Sequence, residues 1–282
     1  MKKILVAIDF LDCSINALAH AVSIAARAKA EIEMVWVNMP DQSKDIFKCD
    51  PETLLLEVQK RFKELIEDFS PELEGGKMSY QIREGKVYKE IVNAADEGKA
   101  DMIVAGTHGS SGFEEFWIGS NANKIVSASN KPIITIRGGI DIKRPLSKIV
   151  LPLDSTIETR QKLPFTTELA KINDAVIHIL AVYTTKVEAV RYRVDTYTDQ
   201  VIEYLEEEGV KYVREAVEAD NLTKSTIGYA ERIDANLISI MTEQERTTAN
   251  LWLGPYAQQM VNHSPFPVLS IHPKELIRSL SR

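Results

Sequence analysis

Residues 106–120 read GTHGSSGFEEFWIGS and follow directly on the apolar run DMIVA at 101–105. Gly106 and Gly109 tolerate positive φ and let a backbone approach a ligand closely. Gly119-Ser120 then opens a helical pattern, with Ser120 in the N-cap role and the amides of Asn121 and Ala122 at the positive end of the helix dipole. Backbone donors and a hydroxyl at a helix start suit an anion, phosphate above all. The same residues also describe an N-capped helix after a loose loop, and residue types alone leave both readings open. The second candidate is Asp9, which closes the apolar run ILVAI. In an open parallel sheet, ligands sit at the carboxyl ends of strands where strand order reverses, and both Asp9 and Gly106 belong on that edge.

Other reactive residue types carry less. The loop lacks the GK[ST] ending of a P-loop, so metal and backbone would carry most phosphate neutralisation. Glu114 and Glu115 sit inside it and are read as turning to solvent. His108 has no visible paired carboxylate, which argues against a general base. His20, His178, His263 and His272 lack zinc-ligand spacing, and no nucleophile elbow is present. Cys13 and Cys49 form neither a CxxC pair nor a disulfide framework, which fits a reducing cytoplasm.

These candidates need a scaffold, and the chain writes one twice. KKILVAIDFLDCS at 2–14 matches SKIVLPLDSTIET at 147–159, placing Asp9 opposite Asp154 (154 − 9 = 145). ADMIVAG at 100–106 matches ANLISIM at 235–241 (241 − 106 = 135). That second offset also pairs Trp117 with Trp252, Gly119 with Gly254 and Pro132 with Pro267. Anchors in one order, with a shortening between them, indicate tandem duplication. The two tryptophans are read as packing against the sheet or a partner chain.

Each half alternates continuous apolar runs with helical stripes. One such stripe is Leu55, Val58, Phe62, Leu65 and Phe69; its counterpart is Val194, Tyr197, Val201, Tyr204 and Leu205. MSYQIRE at 78–84 alternates like a strand near a sheet edge, and Pro164 makes the first helix of the second half start late or kink. The expected fold is α/β: two tandem doubly wound domains, 1–139 and 146–282, each a five-stranded parallel sheet with helices on both faces. They join near GGIDIKRP at 138–145. A net charge of −7 without a basic stripe argues against a nucleic-acid partner. The basic start MKK meets Asp9 too soon for a signal-peptide core, and no run reaches membrane-spanning length.

The spacing G106-x2-G109-x9-G119-S120 resembles the ATP-binding motif of the universal stress protein family. So do VAIDF on the first strand, ADMIVAGTHG before the loop and KPIITI at the end. The likeness covers both halves and implies a Rossmann-like fold of the adenine nucleotide alpha hydrolase type. It implies ATP with Mg²⁺ or Mn²⁺ in the first domain. Asp9 would meet the ribose or adenine, Ala7 would line the base pocket, and Val37 would offer backbone groups to the adenine edge. Gly106 and Gly109 would pack on ribose and phosphate, with Gly119, Ser120 and Asn121 holding the terminal phosphates. It also implies pairing of the two domains through their last strands, 132–136 and 267–271, with a homodimer and an unknown protein partner as further associations.

In the second half Gly106 becomes Met241, Gly109 becomes Gln244 and Ser120 becomes Pro255, so standard ATP binding is not expected there. The leading expectation is a cytoplasmic nucleotide-dependent stress-response regulator with at most weak ATPase activity. Its rivals are an interaction module with a vestigial motif and a nucleotide hydrolase or adenylyl-transfer enzyme. The absence of an SGGxDS loop after the first strand, where DFLDCS stands, weighs against the last. The segment DQSKDIFKCD at 41–50 is read as a surface loop, and the terminal HPKELIRSLSR as a short basic tail helix.

Overall fold

The computed structural model describes residues 1–39, 51–107, 120–137, 145–242 and 253–273. The first half runs β1 (Lys3–Ala7), α1 (Asp12–Ala28), β2 (Glu31–Asn38), α2 (Pro51–Phe69), β3 (Met78–Glu84), α3 (Val87–Glu97), β4 (Met102–Gly106), α4 (Ser120–Ala128) and β5 (Ile133–Ile136). The second repeats it as β6 (Lys148–Leu153), α5 (Leu163–Asn173), β7 (Val176–Tyr183), α6 (Glu188–Glu207), β8 (Tyr212–Glu218), α7 (Leu222–Ile233), β9 (Leu237–Met241), α8 (Pro255–His263) and β10 (Val268–Ile271). All ten strands share one sheet in the order β3-β2-β1-β4-β5-β10-β9-β6-β7-β8. Pairing is parallel within each half, as the tandem reading expected, and antiparallel at the β5–β10 seam, which joins the last strands of the two halves.

The runs at 4–6 and 102–105 are fully buried because helices cover both faces of the sheet. On one face α1, α2, α5 and α6 enclose a core that includes Leu18, Phe62, Leu169 and Val201. On the other, α3, α4, α7 and α8 enclose Ile91, Val126, Ala230 and Met260. Each core runs through both halves without a break. The α2 stripe begins one residue earlier than its spacing suggested. Leu54 packs on the core while Leu55 is 37% exposed, and Val58 and Phe62 are buried. Phe62 stacks on Tyr80 at 4.5 Å and meets the edge of Phe10 at 5.0 Å.

Pro164 produces a late start. A 3₁₀ turn spans Ile157–Arg160, and α5 then begins with the proline in its first positions, where a missing N–H costs nothing. β3 and β8 are the outer edges, in agreement with the alternation read for 78–84.

Beyond the strand seam, Asn123 Nδ2 on α4 donates to Asn262 Oδ1 on α8 at 3.1 Å. Buried His272 donates from Nε2 to the Val126 carbonyl of the first half, leaving Nδ1 to accept from Thr242 Oγ1 at 2.5 Å. Burial lowers the pKa of this imidazole and favours its neutral form.

Candidate functional site

β1 and β4 lie side by side, with Ala7 opposite Ala105, and strand order reverses between them. That reversal defines the crevice in which a doubly wound sheet accepts ligands. Ala7 ends β1 half-buried, and Asp9 lies exposed just beyond it. A tight turn fixes Asp9. Its Oδ1 accepts from the Leu11 amide at 3.0 Å, and its own amide donates to Ser14 Oγ at 3.2 Å. Ser14 Oγ donates in turn to the Leu11 carbonyl at 3.0 Å, and Phe10 takes a left-handed φ of 64° to make the bend.

The second half repeats two of these hydrogen bonds at equivalent positions, without the left-handed residue at the bend. Asp154 Oδ1 accepts from the Thr156 amide at 2.8 Å, and the Asp154 amide donates to Thr159 Oγ1 at 3.2 Å. The offset between Ser14 and Thr159 is again 159 − 14 = 145, so the duplication extends to individual hydrogen bonds.

Val37 lies one residue from the end of β2, opposite Arg83 of β3. Its side chain is buried in the core around Ile91. The β1 ladder stops at Val35, where the Ile8 amide donates at 2.9 Å, so at Val37 the strand has already parted from β1.

Gly106 ends β4, and its nearest neighbours are protein. A Cβ there would lie 2.9 Å from the carbonyl carbon, the carbonyl oxygen and Sγ of Cys13. Cys13 is buried, and its Sγ donates to the Ile136 carbonyl at 3.2 Å. Glycine at 106 thus lets the first turn of α1 close onto β4. In the second half α5 starts later, and the corresponding Met241 fits, 7% exposed, where a side chain would otherwise collide.

α4 begins at Ser120 itself, so the serine is the first helical residue, one place beyond the expected N-cap. The second half matches it, with Gly254 as N-cap and Pro255 as first helical residue. Asn121 is half-buried in the first turn of α4. The structure therefore brings Ala7, Asp9 and Gly106 to one edge. Gly109 and Gly119 lie outside the described residues, as do His108, Glu114, Glu115, Trp117, Trp252, Cys49, the 41–50 segment, the 138–144 join and the tail from 274.

The universal stress protein family model matches residues 1–137 and again 145–272. The chain belongs to the universal stress protein family. A universal stress protein of Methanocaldococcus jannaschii is 30% identical over 146 residues, covering 48% of this chain and 82% of that protein. Universal stress protein YxiE of Bacillus subtilis is likewise 30% identical over 146 residues, covering 48% of this chain and 99% of its own length. These curated relatives thus align with about half of the chain. The crystal structure of a universal stress protein from Archaeoglobus fulgidus superposes along 96% of this chain and 98% of its own, with a TM-score of 0.73 and 17% identity. The tandem architecture is therefore shared with that protein.

Proposed function

We propose that the chain is a cytoplasmic, ATP-binding regulator whose first half holds the nucleotide together with Mg²⁺ or Mn²⁺. The observation that carries this reading is the placement of Asp9, just past β1, and Gly106, the last residue of β4, at the ends of adjacent strands where strand order reverses, with the phosphate motif following Gly106. The described residues suit such a guest. Asp9 is exposed, and the Leu11 amide takes Oδ1, which orients the carboxylate and leaves Oδ2 for a ribose hydroxyl. Ala7 is small enough to leave room for a base, and the backbone at Val37, parted from β1, can meet the adenine edge. Ser120 and Asn121 would present first-turn amides to phosphate, with Gly106, Gly109 and Gly119 keeping the backbone close. The metal would offset part of the triphosphate charge. With no general base identified, hydrolysis is slow at most, and the bound nucleotide acts by altering contacts with a protein partner in the stress response.

The second half is read as lacking standard ATP binding, since Met241, Gln244 and Pro255 replace the motif residues. A rival reading, an interaction module with a vestigial motif, is favoured by one observation: packing against Cys13 alone accounts for glycine at 106.

The test is a thermal melt with Mg-ATP and nucleotide analysis of heat-released ligand. ATP at a hundredfold excess over Kd stabilises by about 2.7 kcal/mol. We expect that gain in the wild type and its loss in a Gly109→Gln/Ser120→Ala variant. No shift at millimolar Mg-ATP favours the module, and binding that survives the double substitution points to a working second site.

A further inference from the structure

The second half contains a cavity of about 340 Å³ at its own carboxyl edge, bounded by Asp154, Thr159, Lys162, Leu222, Met241 and Tyr256. That volume falls within the range of small-molecule sites. Its unusual wall is Lys162. Counting on from the shared turn, Lys162 stands where the first half carries Ala17 (162 − 145 = 17). It is 2% exposed, and Nζ donates to the Thr159 carbonyl at 2.6 Å and to Thr159 Oγ1 at 3.3 Å. An ammonium has three donors, and these bonds occupy two. Among the described residues Lys162 has no ion-pair partner, and Asp154 acts on it only from a distance. A buried cation without an anion beside it is costly, and a ligand anion relieves that cost.

We propose that this cavity is a binding site for a small organic acid that carries one acidic group, set against Lys162, on an apolar body with a hydroxyl or amine. Leu222 and Met241 supply the apolar wall. Asp154 accepts a hydrogen bond from the hydroxyl or amine, its Oδ1 being already engaged by Thr156. The carboxylates of Asp154 and Glu158, both on the cavity wall, oppose a polyanion, so the site selects against triphosphate. This proposal stands apart from the reading of the first half, because every residue in it belongs to the second.

Burial brings the Lys162 pKa down to about 8, with Asp154 working in the opposite direction. A ligand acid needs the ammonium form, so affinity should hold to about pH 8 and fall beyond it, roughly tenfold between pH 7 and pH 9.

The test uses the full chain with ¹³C-methyl methionine, the Met241 signal being assigned through Met241→Leu. Phenyllactate and 2-hydroxy-3-phenylpropyl phosphate, a carboxylate and a phosphomonoester that both carry a hydroxyl on similar bodies, are titrated separately, with phenylethanol as the uncharged control. The expected result is a saturable shift of the Met241 methyl by one or both acids at millimolar concentration or below. It should weaken at least tenfold in Lys162→Leu and at pH 9 in the wild type, with phenylethanol inert. Which acid binds more tightly separates carboxylate from phosphate recognition. A Met241 methyl that neither acid moves, an equal response to phenylethanol, or undiminished wild-type affinity at pH 9 would overturn the proposal.

Discussion

Gly106→Ala places a methyl group 2.9 Å from three atoms of Cys13, two of them backbone. Carbon contacts are optimal at about 3.5–4.0 Å, so the first turn of α1 or the end of β4 must shift by several tenths of an ångström. Both elements are tied down, α1 by its buried residues Ala17 and Leu18 and β4 by its ladders to β1 and β5. Overpacking of this kind costs about 1–3 kcal/mol. At roughly 3 °C per kcal/mol for a domain of this size, Tm should fall by about 3–9 °C. Differential scanning calorimetry without nucleotide isolates the effect from ligand binding. A second variant, Cys13→Ala/Gly106→Ala, removes the Sγ collision but leaves the carbonyl carbon and oxygen in place, so it should recover only part of the loss. A Gly106→Ala protein as stable as the wild type, or complete rescue by the double substitution, would refute the packing argument and return Gly106 to the ligand alone.

Two titrating residues give further expectations. His20 on α1 is fully buried with Nε2 unpartnered, and burial lowers its pKa from 6.5 to about 4. The unfolded chain therefore binds the extra proton first, so this contribution is complete above about pH 6.5 and drains away as pH falls to 4. The loss amounts to about 3 kcal/mol and should be largely absent in His20→Leu when urea midpoints are followed across that range. Lys162 shifts from 10.5 to about 8 and carries a buried charge at neutral pH. Lys162→Leu should stabilise the protein at pH 7 by about 1–2 kcal/mol after the Thr159 bonds are lost. Thermal melts should show the advantage shrinking between pH 8 and pH 10.5, because the neutral amine no longer opposes folding.

Much of this architecture is written in one dimension. Unbroken apolar runs such as ILVAI and MIVA mark strands covered on both faces, and the offset between Asp9 and Asp154 reveals the duplication before any coordinates. Spacing identifies an element and its buried side, but not which atoms of a distant element close on it. For that reason the motif alone does not reveal that Gly106 also packs against Cys13, more than ninety residues earlier in the chain. Leu55 lost its place to Leu54 because a period of 3.6 fixes a stripe only to within a residue. Lys162 escaped notice through its ordinary residue type. Its signal was positional: a lysine opposite Ala17 in an otherwise parallel pair of turns.

The antiparallel seam between Ile134 and Leu269 has a consequence for evolution and for the test tube alike. Pairing between separate copies depends on their concentration, whereas a covalent tether turns it into an intramolecular step at an effective concentration in the millimolar range. Permanent company also relaxes the demand that the copies be identical, so one half can hold an alanine where its twin holds a buried lysine. What remains at the two rims is MSYQIRE and YVREAVE, and charges strung along such borders discourage another chain from extending the ribbon.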